Sequence, residues 1–163
     1  MDYINYIQSK IIMDRTDLEF LVALWKFKDQ KVIFTNGCFD IIHRGHVEYL
    51  AKAASLGNQL VIGLNTDASV KRLKGVSRPV QDENTRAMVL ASMAFVSKVI
   101  LFDEDTPYEL IKQIKPHFLV KGGDYAPENI VGYDIVKAIG GEVVTIDLVQ
   151  GHSTTTIINK MSV

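Results

Sequence analysis

Short apolar segments alternate with helical patterns along this chain, and this alternation restricts its possible folds more than any other feature. Five runs rich in valine and isoleucine read as strands: VIFT at 32–35, QLVIGLN at 59–65, KVILF at 98–102, HFLV at 117–120 and EVVTID at 142–147. Three of the runs lack a regular alternation of polar and apolar residues. Strands covered on both faces, as in a parallel sheet, have this pattern.

Helical patterns lie between these runs, at 46–57, at 85–96, after a capping box at Thr106–Glu109, and at 153–161. The order predicts a three-layer α/β/α domain over residues 31–163, with a five-stranded, mainly parallel sheet, preceded by a helical lead-in over residues 1–30. Ligands bind beyond the carboxyl ends of the strands in such domains. The irregular stretches at 67–81 and 121–128 are therefore predicted to be functional loops.

The overall charge and composition exclude several classes of protein. The 163 residues carry 18 Lys and Arg against 19 Asp and Glu, a balance that predicts no nucleic-acid partner. A single cysteine excludes an intramolecular disulfide. The first residues lack a secretory signal, and no apolar run approaches the roughly 18 residues of a membrane span. We expect a soluble, cytoplasmic protein with no membrane partner.

Residues 35–46, TNGCFDIIHRGH, follow the first predicted strand and lead into the next helix. Free backbone N–H groups and the helix dipole favour an anion at such a position. Because residues three apart share a helix face, His43 and His46 can converge on one phosphoryl group. Gly45 would let that group approach the first turn closely. The stretch therefore predicts a phosphate site.

Two other sites would use the same residues. Cys38, His43 and His46 offer three zinc ligands, but zinc sites that contain cysteine usually have paired cysteines, and this chain has one. A dinucleotide-binding turn would need the spacing G-x-G-x-x-G, which is absent here. Either histidine could also simply cap the helix. We predict no metal ligands in the protein.

The residues His43-Arg44-Gly45-His46 resemble the HxGH signature of the nucleotidylyltransferase superfamily. Further segments in the same order resemble the adenylyltransferases that form ADP-heptose from a heptose 1-phosphate, from about Lys31 to the C-terminus: LNTDASVKRLKG, SRPV, LVKGGDY and the STT before the last helix. The resemblance implies a Rossmann-like fold, a homodimer, and transfer of AMP from ATP with Mg²⁺ to a heptose 1-phosphate. Pyrophosphate would be released, and the product would serve bacterial heptose-containing glycans such as the lipopolysaccharide core.

The resemblance, together with position in the predicted fold, gives roles to three groups of residues. The catalytic group is His43, His46 and Lys74. The nucleotide contacts, besides the two histidines, are Thr35, Asn36, Gly37, Phe39, Gly45, Arg86, Lys121, Gly122, Gly123, Asp124, Ser153, Thr154 and Thr155. The contacts to the acceptor are Asp40, Asn65, Asp67, Lys74 and Tyr125.

Structural roles are open for three of these charged residues. Asp40 could cap the helix that follows it, and Asp67 could turn the chain. Arg86 suits a bidentate phosphate contact but could instead form a surface ion pair with Asp82 or Glu83.

Two further functions compete with the adenylyltransferase. A cytidylyltransferase for glycerol 3-phosphate has the same chemistry, but such relatives carry an arginine upstream of a G-I-S-T-T element, and residues 147–155 contain none. A non-catalytic nucleotide- or metal-binding module is the other candidate.

Overall fold

The structure is a computed structural model that describes residues 2–123, 125–147, 151 and 154–161. Its strands are β1 (Ile11–Ile12), β2 (Val32–Gly37), β3 (Gln59–Asn65), β4 (Lys98–Phe102), β5 (Phe118–Gly122) and β6 (Glu142–Ile146). Within the described residues these six strands form one parallel sheet in the order β1-β4-β3-β2-β5-β6. The predicted α/β fold with a parallel sheet is confirmed.

The five predicted strands correspond to β2 to β6, but the predicted number of strands is one too small. The additional strand, β1, lies in the helical lead-in and pairs with the edge of β4, where Ile11 is opposite Val99 and Ile12 is opposite Ile100. A two-residue strand gives no periodic signal, and its pairing partner lies far away in the sequence. The lead-in therefore extends the sheet itself.

Helices cover both faces of the sheet. They are α1 (Tyr3–Gln8), α2 (Leu18–Phe27), α3 (Arg44–Ala54), α4 (Asp67–Lys74), α5 (Glu83–Ser92), α6 (Tyr108–Ile114), α7 (Tyr133–Ala138) and α8 (Thr154–Met161). Adjacent residues of β2 show the two-sided burial: Ile33 belongs to the apolar cluster with α3 and α5, and Phe34 to the cluster with α2, α6 and α7. None of the helices in the described part of the chain has the length and hydrophobicity of a membrane span.

Two local predictions are wrong. Residues 67–74 form helix α4 rather than an irregular loop, because Thr66 caps the helix by accepting a hydrogen bond from Ser69 N at 3.2 Å. The basic residues in its last turn, among them Arg72, suit the negative end of the helix dipole. Thr106 does not cap α6: the N-cap position is Pro107 and receives no side-chain hydrogen bond. The Thr106 side chain lies exposed instead.

Candidate functional site

A cavity of about 610 Å³ opens at the carboxyl ends of β2 and β5. The strand order reverses between these two strands, because the chain passes from β2 to β3 and β4 on one side and then to β5 on the other. A ligand site is expected at such a point. Ten residues predicted from the sequence to contact substrates line the cavity: Asn36, Gly37, Phe39, His43, Gly45, His46, Lys121, Gly122, Tyr125 and Thr154.

The two histidines lie together at the start of α3. His43 is the N-cap residue with an extended backbone, and its carbonyl accepts hydrogen bonds from the amides of His46 and Val47 at 2.9 and 3.2 Å. The imidazole rings stack with their centroids 3.8 Å apart and an angle of 18° between the planes. Phe39 packs edge-on against His46 at 5.3 Å. The predicted convergence of the two rings is therefore present in the structure.

The environment of His46 keeps its ring neutral at physiological pH. Burial lowers the pKa of His46 to about 4, with help from the nearby His43, while the carbonyl of Ile41 has a smaller opposing effect. The Ile41 carbonyl is the backbone group that interacts with this ring, although the buried Nδ1 atom of His46 has no described partner within strict hydrogen-bond geometry. A neutral ring can donate one hydrogen bond to a phosphoryl oxygen.

The low pKa of His46 predicts a loss of stability in acid. Between about pH 6.5 and pH 4 the unfolded chain takes up a proton at this residue and the folded protein does not, so the free energy of unfolding falls as the pH falls. We expect the wild type to lose about 1–2 kcal/mol more than His46→Gln between pH 7 and pH 4.5, after allowing for the partial exposure of the ring. Urea unfolding at several pH values measures this difference. Equal losses in both proteins would show that the folded protein binds the proton as easily as the unfolded chain.

Lys121 joins the ends of the two strands that flank the cavity. Its Nζ donates a hydrogen bond to Asn36 Oδ1 at 2.5 Å, which links β5 to β2. Burial lowers the pKa of Lys121 to about 8. The ammonium group is therefore still mostly charged at neutral pH, and an anion in the cavity would favour its charged form.

Asp40 is buried outside the lining of the cavity and does not cap α3, whose N-cap residue is His43. Its buried carboxylate accepts hydrogen bonds from the amides of Val80 and Gln81 and from Arg78 Nε at 2.6 Å. Burial alone would raise the pKa of Asp40, but these hydrogen bonds outweigh it and the pKa is lowered. Asp40 therefore anchors the loop that leads into α5. All three of its partners lie in that loop.

Arg86 and Asp67 also hold the protein together rather than face the cavity. The fully buried Arg86 donates from Nη2 to Asp67 Oδ1 at 2.7 Å, from Nη1 to the Cys38 carbonyl at 2.6 Å and from Nε to the Gln81 carbonyl at 3.1 Å. The phosphate contact predicted for Arg86 is not available in this structure, because the guanidinium is enclosed and engaged. Its partner is Asp67, not Asp82 or Glu83.

Other predicted residues take supporting positions. The buried Thr35 hydroxyl lies 2.7 Å from that of Tyr49, whose oxygen also donates to the Val120 carbonyl. The buried Asn65 donates to Ser69 Oγ at 3.0 Å. Neither Thr35 nor Asn65 is therefore exposed to the cavity.

Lys74 remains a candidate for a phosphate contact. Lys74 is the last residue of α4 and is exposed. Its positive charge acts electrostatically on Cys38, which lines the cavity. Burial raises the pKa of the Cys38 thiol, and Lys74 is the first of the charges that oppose this effect. Gly123 and Thr155 lie outside the cavity wall, and Asp124 and Ser153 fall outside the described residues.

Sequence reasoning did not assign several residues that line the cavity: Cys38, Tyr49, Asp105, Thr106, Pro107, Asn129, Ile130 and Val131. A signal for Asp105 and Thr106 was present, because they follow the predicted strand at 98–102 and therefore reach the same edge of the sheet. No group of three or more His, Cys, Asp or Glu side chains within the described residues could hold a metal ion.

Comparison with known proteins gives one family. Residues 34–160 match the family model described as cytidylyltransferase-like. A protein called bifunctional protein HldE from Azorhizobium caulinodans is 54% identical over 149 residues, which is 91% of this chain and 31% of the relative. The protein of the same name from Magnetococcus marinus is 51% identical over 158 residues, or 97% of this chain and 32% of the relative. The chain thus spans about a third of the length of these curated relatives.

Two solved structures share the fold at low sequence identity. A lipopolysaccharide core biosynthesis protein from Thermoplasma volcanium has a TM-score of 0.60 at 23% identity, covering 76% of this chain and 99% of that protein. A pantoate-beta-alanine ligase from Francisella tularensis has a TM-score of 0.63 at 13% identity, covering 93% of this chain and 76% of the ligase.

Proposed function

The chain belongs to the cytidylyltransferase-like family, and from that membership we propose that it transfers AMP from ATP to a heptose 1-phosphate and releases pyrophosphate. The observation that carries the proposal is the convergence of His43, His46 and Lys121 on one cavity. The start of α8, at Thr154, reaches the same cavity. Hydrogen-bond donors and a cation that converge on one cavity are what the transfer of a phosphoryl group requires.

The reaction needs positioning and neutralisation of charge more than a strong base. An oxygen of the sugar 1-phosphate, already ionised at neutral pH, attacks the α-phosphorus of ATP. The bond from the α-phosphorus to the bridging oxygen breaks, and pyrophosphate leaves with the electron pair. His43 and His46 would donate hydrogen bonds to the phosphate oxygens, while Lys121 and Lys74 would offset the developing negative charge.

Mg²⁺ would arrive with ATP, held by phosphate oxygens and water, where it neutralises charge on the triphosphate. His43 and His46 supply N–H donors and Lys121 supplies a positive charge, and these groups fit such a complex. We assign no protein ligands to the metal. We also propose that the reaction takes place in the cytoplasm, that the enzyme is a homodimer, and that its product is used for heptose-containing glycans such as the lipopolysaccharide core.

The choice of a heptose 1-phosphate rests on the resemblance of the motifs and on the 54% identity to a bifunctional protein HldE. A cytidylyltransferase acting on glycerol 3-phosphate is the second candidate, because the family is described as cytidylyltransferase-like. The two candidates share the phosphate site and differ in the base and the acceptor.

A panel of substrates tests the proposal. Pyrophosphate release is measured with heptose 1-phosphate or glycerol 3-phosphate, each combined with ATP, CTP or GTP. We expect release with ATP and heptose 1-phosphate only. Release with CTP and glycerol 3-phosphate would replace the first candidate by the second. ATP binding without pyrophosphate release from any pair would leave a nucleotide-binding module.

A further inference from the structure

The residues that line the cavity include two chemically different groups. His43, His46 and Lys121, from α3 and the end of β5, suit phosphate oxygens. The second group is Asp105 and Thr106, in the loop between β4 and α6, and Asn129, in the turn after β5. These three side chains are polar, and none of them belongs to the phosphate chemistry described above. The cavity therefore has room and polar groups for a second substrate component.

Asp105 is the only acidic residue among the described residues that line the cavity. The two aspartates predicted to contact the acceptor are engaged elsewhere, Asp40 with the loop before α5 and Asp67 with Arg86. A carboxylate accepts hydrogen bonds and repels phosphate, so Asp105 suits hydroxyl groups that donate. The side chains of Thr106 and Asn129 can both donate and accept.

Arg72 pairs with Asp105, and the two side chains are 45% and 79% exposed. Arg72 Nε donates to Asp105 Oδ1 at 3.1 Å, while Nη1 lies 3.4 Å from Asp103 Oδ2 and Nη2 donates to the Asp103 carbonyl. One guanidinium thus ties α4 to the whole start of the loop. The positive charge of Arg72 also offsets the negative charge of Asp105. A negatively charged substrate is therefore repelled less by Asp105.

We propose that Asp105, held at the cavity wall by Arg72, accepts hydrogen bonds from the hydroxyl groups of the acceptor sugar, with Thr106 and Asn129 beside it. The inference rests on the proposed function and adds the residues that recognise the sugar. Asp105 is the specificity-determining residue, and Arg72 is a positioning residue. A carboxylate that accepts hydrogen bonds from a substrate hydroxyl favours acceptors that carry that hydroxyl over those that lack it.

Kinetics of Asp105→Ala test the contact with the sugar. We expect the KM for heptose 1-phosphate to rise about 10–100-fold, as for loss of a hydrogen bond to a charged group, while the KM for ATP changes less than about threefold. The matched control is Glu109→Gln, which removes a negative charge from exposed α6, where Glu109 faces Lys112 at 3.7 Å. That variant should keep both KM values.

A double-mutant cycle tests the role of Arg72. Arg72→Gln should raise the KM for the sugar phosphate in the wild type but add nothing in the Asp105→Ala background. Arg72→Lys should restore part of the affinity, because it keeps the charge. A merely structural role for Arg72 would raise the KM equally in both backgrounds, and that result would overturn the positioning assignment.

The remaining outcomes are distinct. An unchanged KM for the sugar phosphate in Asp105→Ala, or a rise in the KM for ATP instead, would overturn the inference while the proposed function stands. A wild type that releases no pyrophosphate with any sugar phosphate would overturn the proposed function, and the inference would fall with it.

Discussion

Replacing His46 with alanine should lower the rate of pyrophosphate release about 10²–10³-fold, the usual cost of removing one donor that stabilises charge in a transition state. The His46 ring is stacked on His43 and packed against Phe39, so its orientation is fixed before any substrate binds. Such preorganisation makes a hydrogen bond most effective where charge develops. The KM for ATP should change much less than kcat.

The neutral state of His46 sharpens this prediction. Because its pKa is about 4 in the free protein, the ring acts first as a hydrogen-bond donor and not as a fixed positive charge. His46→Asn keeps an N–H donor and should retain more activity than His46→Ala. His46→Lys supplies charge without that geometry and should not restore activity beyond the asparagine variant.

Arg44→Ala is the matched control for the first turn of α3. Arg44 lies between the two histidines, but its side chain is 70% exposed and pairs with Glu48, one turn away. The activity of Arg44→Ala should remain within about threefold of the wild type, since such surface pairs contribute little. If His46→Ala behaves like Arg44→Ala in a protein that is still folded, His46 is not part of the catalytic group.

The fold could be predicted from the sequence because most of its strands and helices have clear local sequence patterns. The strands β2 to β6 are apolar runs rich in valine and isoleucine. Because both faces of these strands are buried, their sequences contain few polar residues. The strand β1 could not be predicted, because its two residues form a strand only through pairing with Val99 and Ile100. Helix α4 was missed although Thr66 and the basic last turn are helix signals.

The sequence predicts which residues come near the cavity where backbone position decides this. His43 and His46 lie at the start of α3, which follows β2, Lys121 lies in β5, and all three line the cavity. The charged residues Asp40 and Arg86 were predicted less well, because their side chains turn away from the ligand side. Which partner such a side chain meets depends on tertiary packing, and no spacing in the sequence records it.

Replacing Arg86 with methionine should destabilise the protein by about 3–5 kcal/mol, because three acceptors would lose the fully buried guanidinium that serves them. Asp67 and the carbonyls of Cys38 and Gln81 would all lose a donor, and Asp67, whose side chain is 30% exposed, would lose its ion-pair partner. Arg86→Lys cannot serve three acceptors with one ammonium group and should recover only part of the loss. Urea unfolding gives these differences, and the control Arg44→Met should lie within about 0.5 kcal/mol of the wild type.

The same variant separates the two roles considered for Arg86. If Arg86 bound phosphate, Arg86→Met would keep its stability and raise the KM for ATP, because a cationic ligand group would be lost from the cavity. If Arg86 ties the Cys38 turn to Asp67, stability falls first, and activity falls with the fraction of folded protein. Near-normal stability with a large rise in the KM for ATP would contradict the role that its buried contacts indicate. The reverse pattern would show that this arginine acts on the phosphate site only through the turn that carries Cys38.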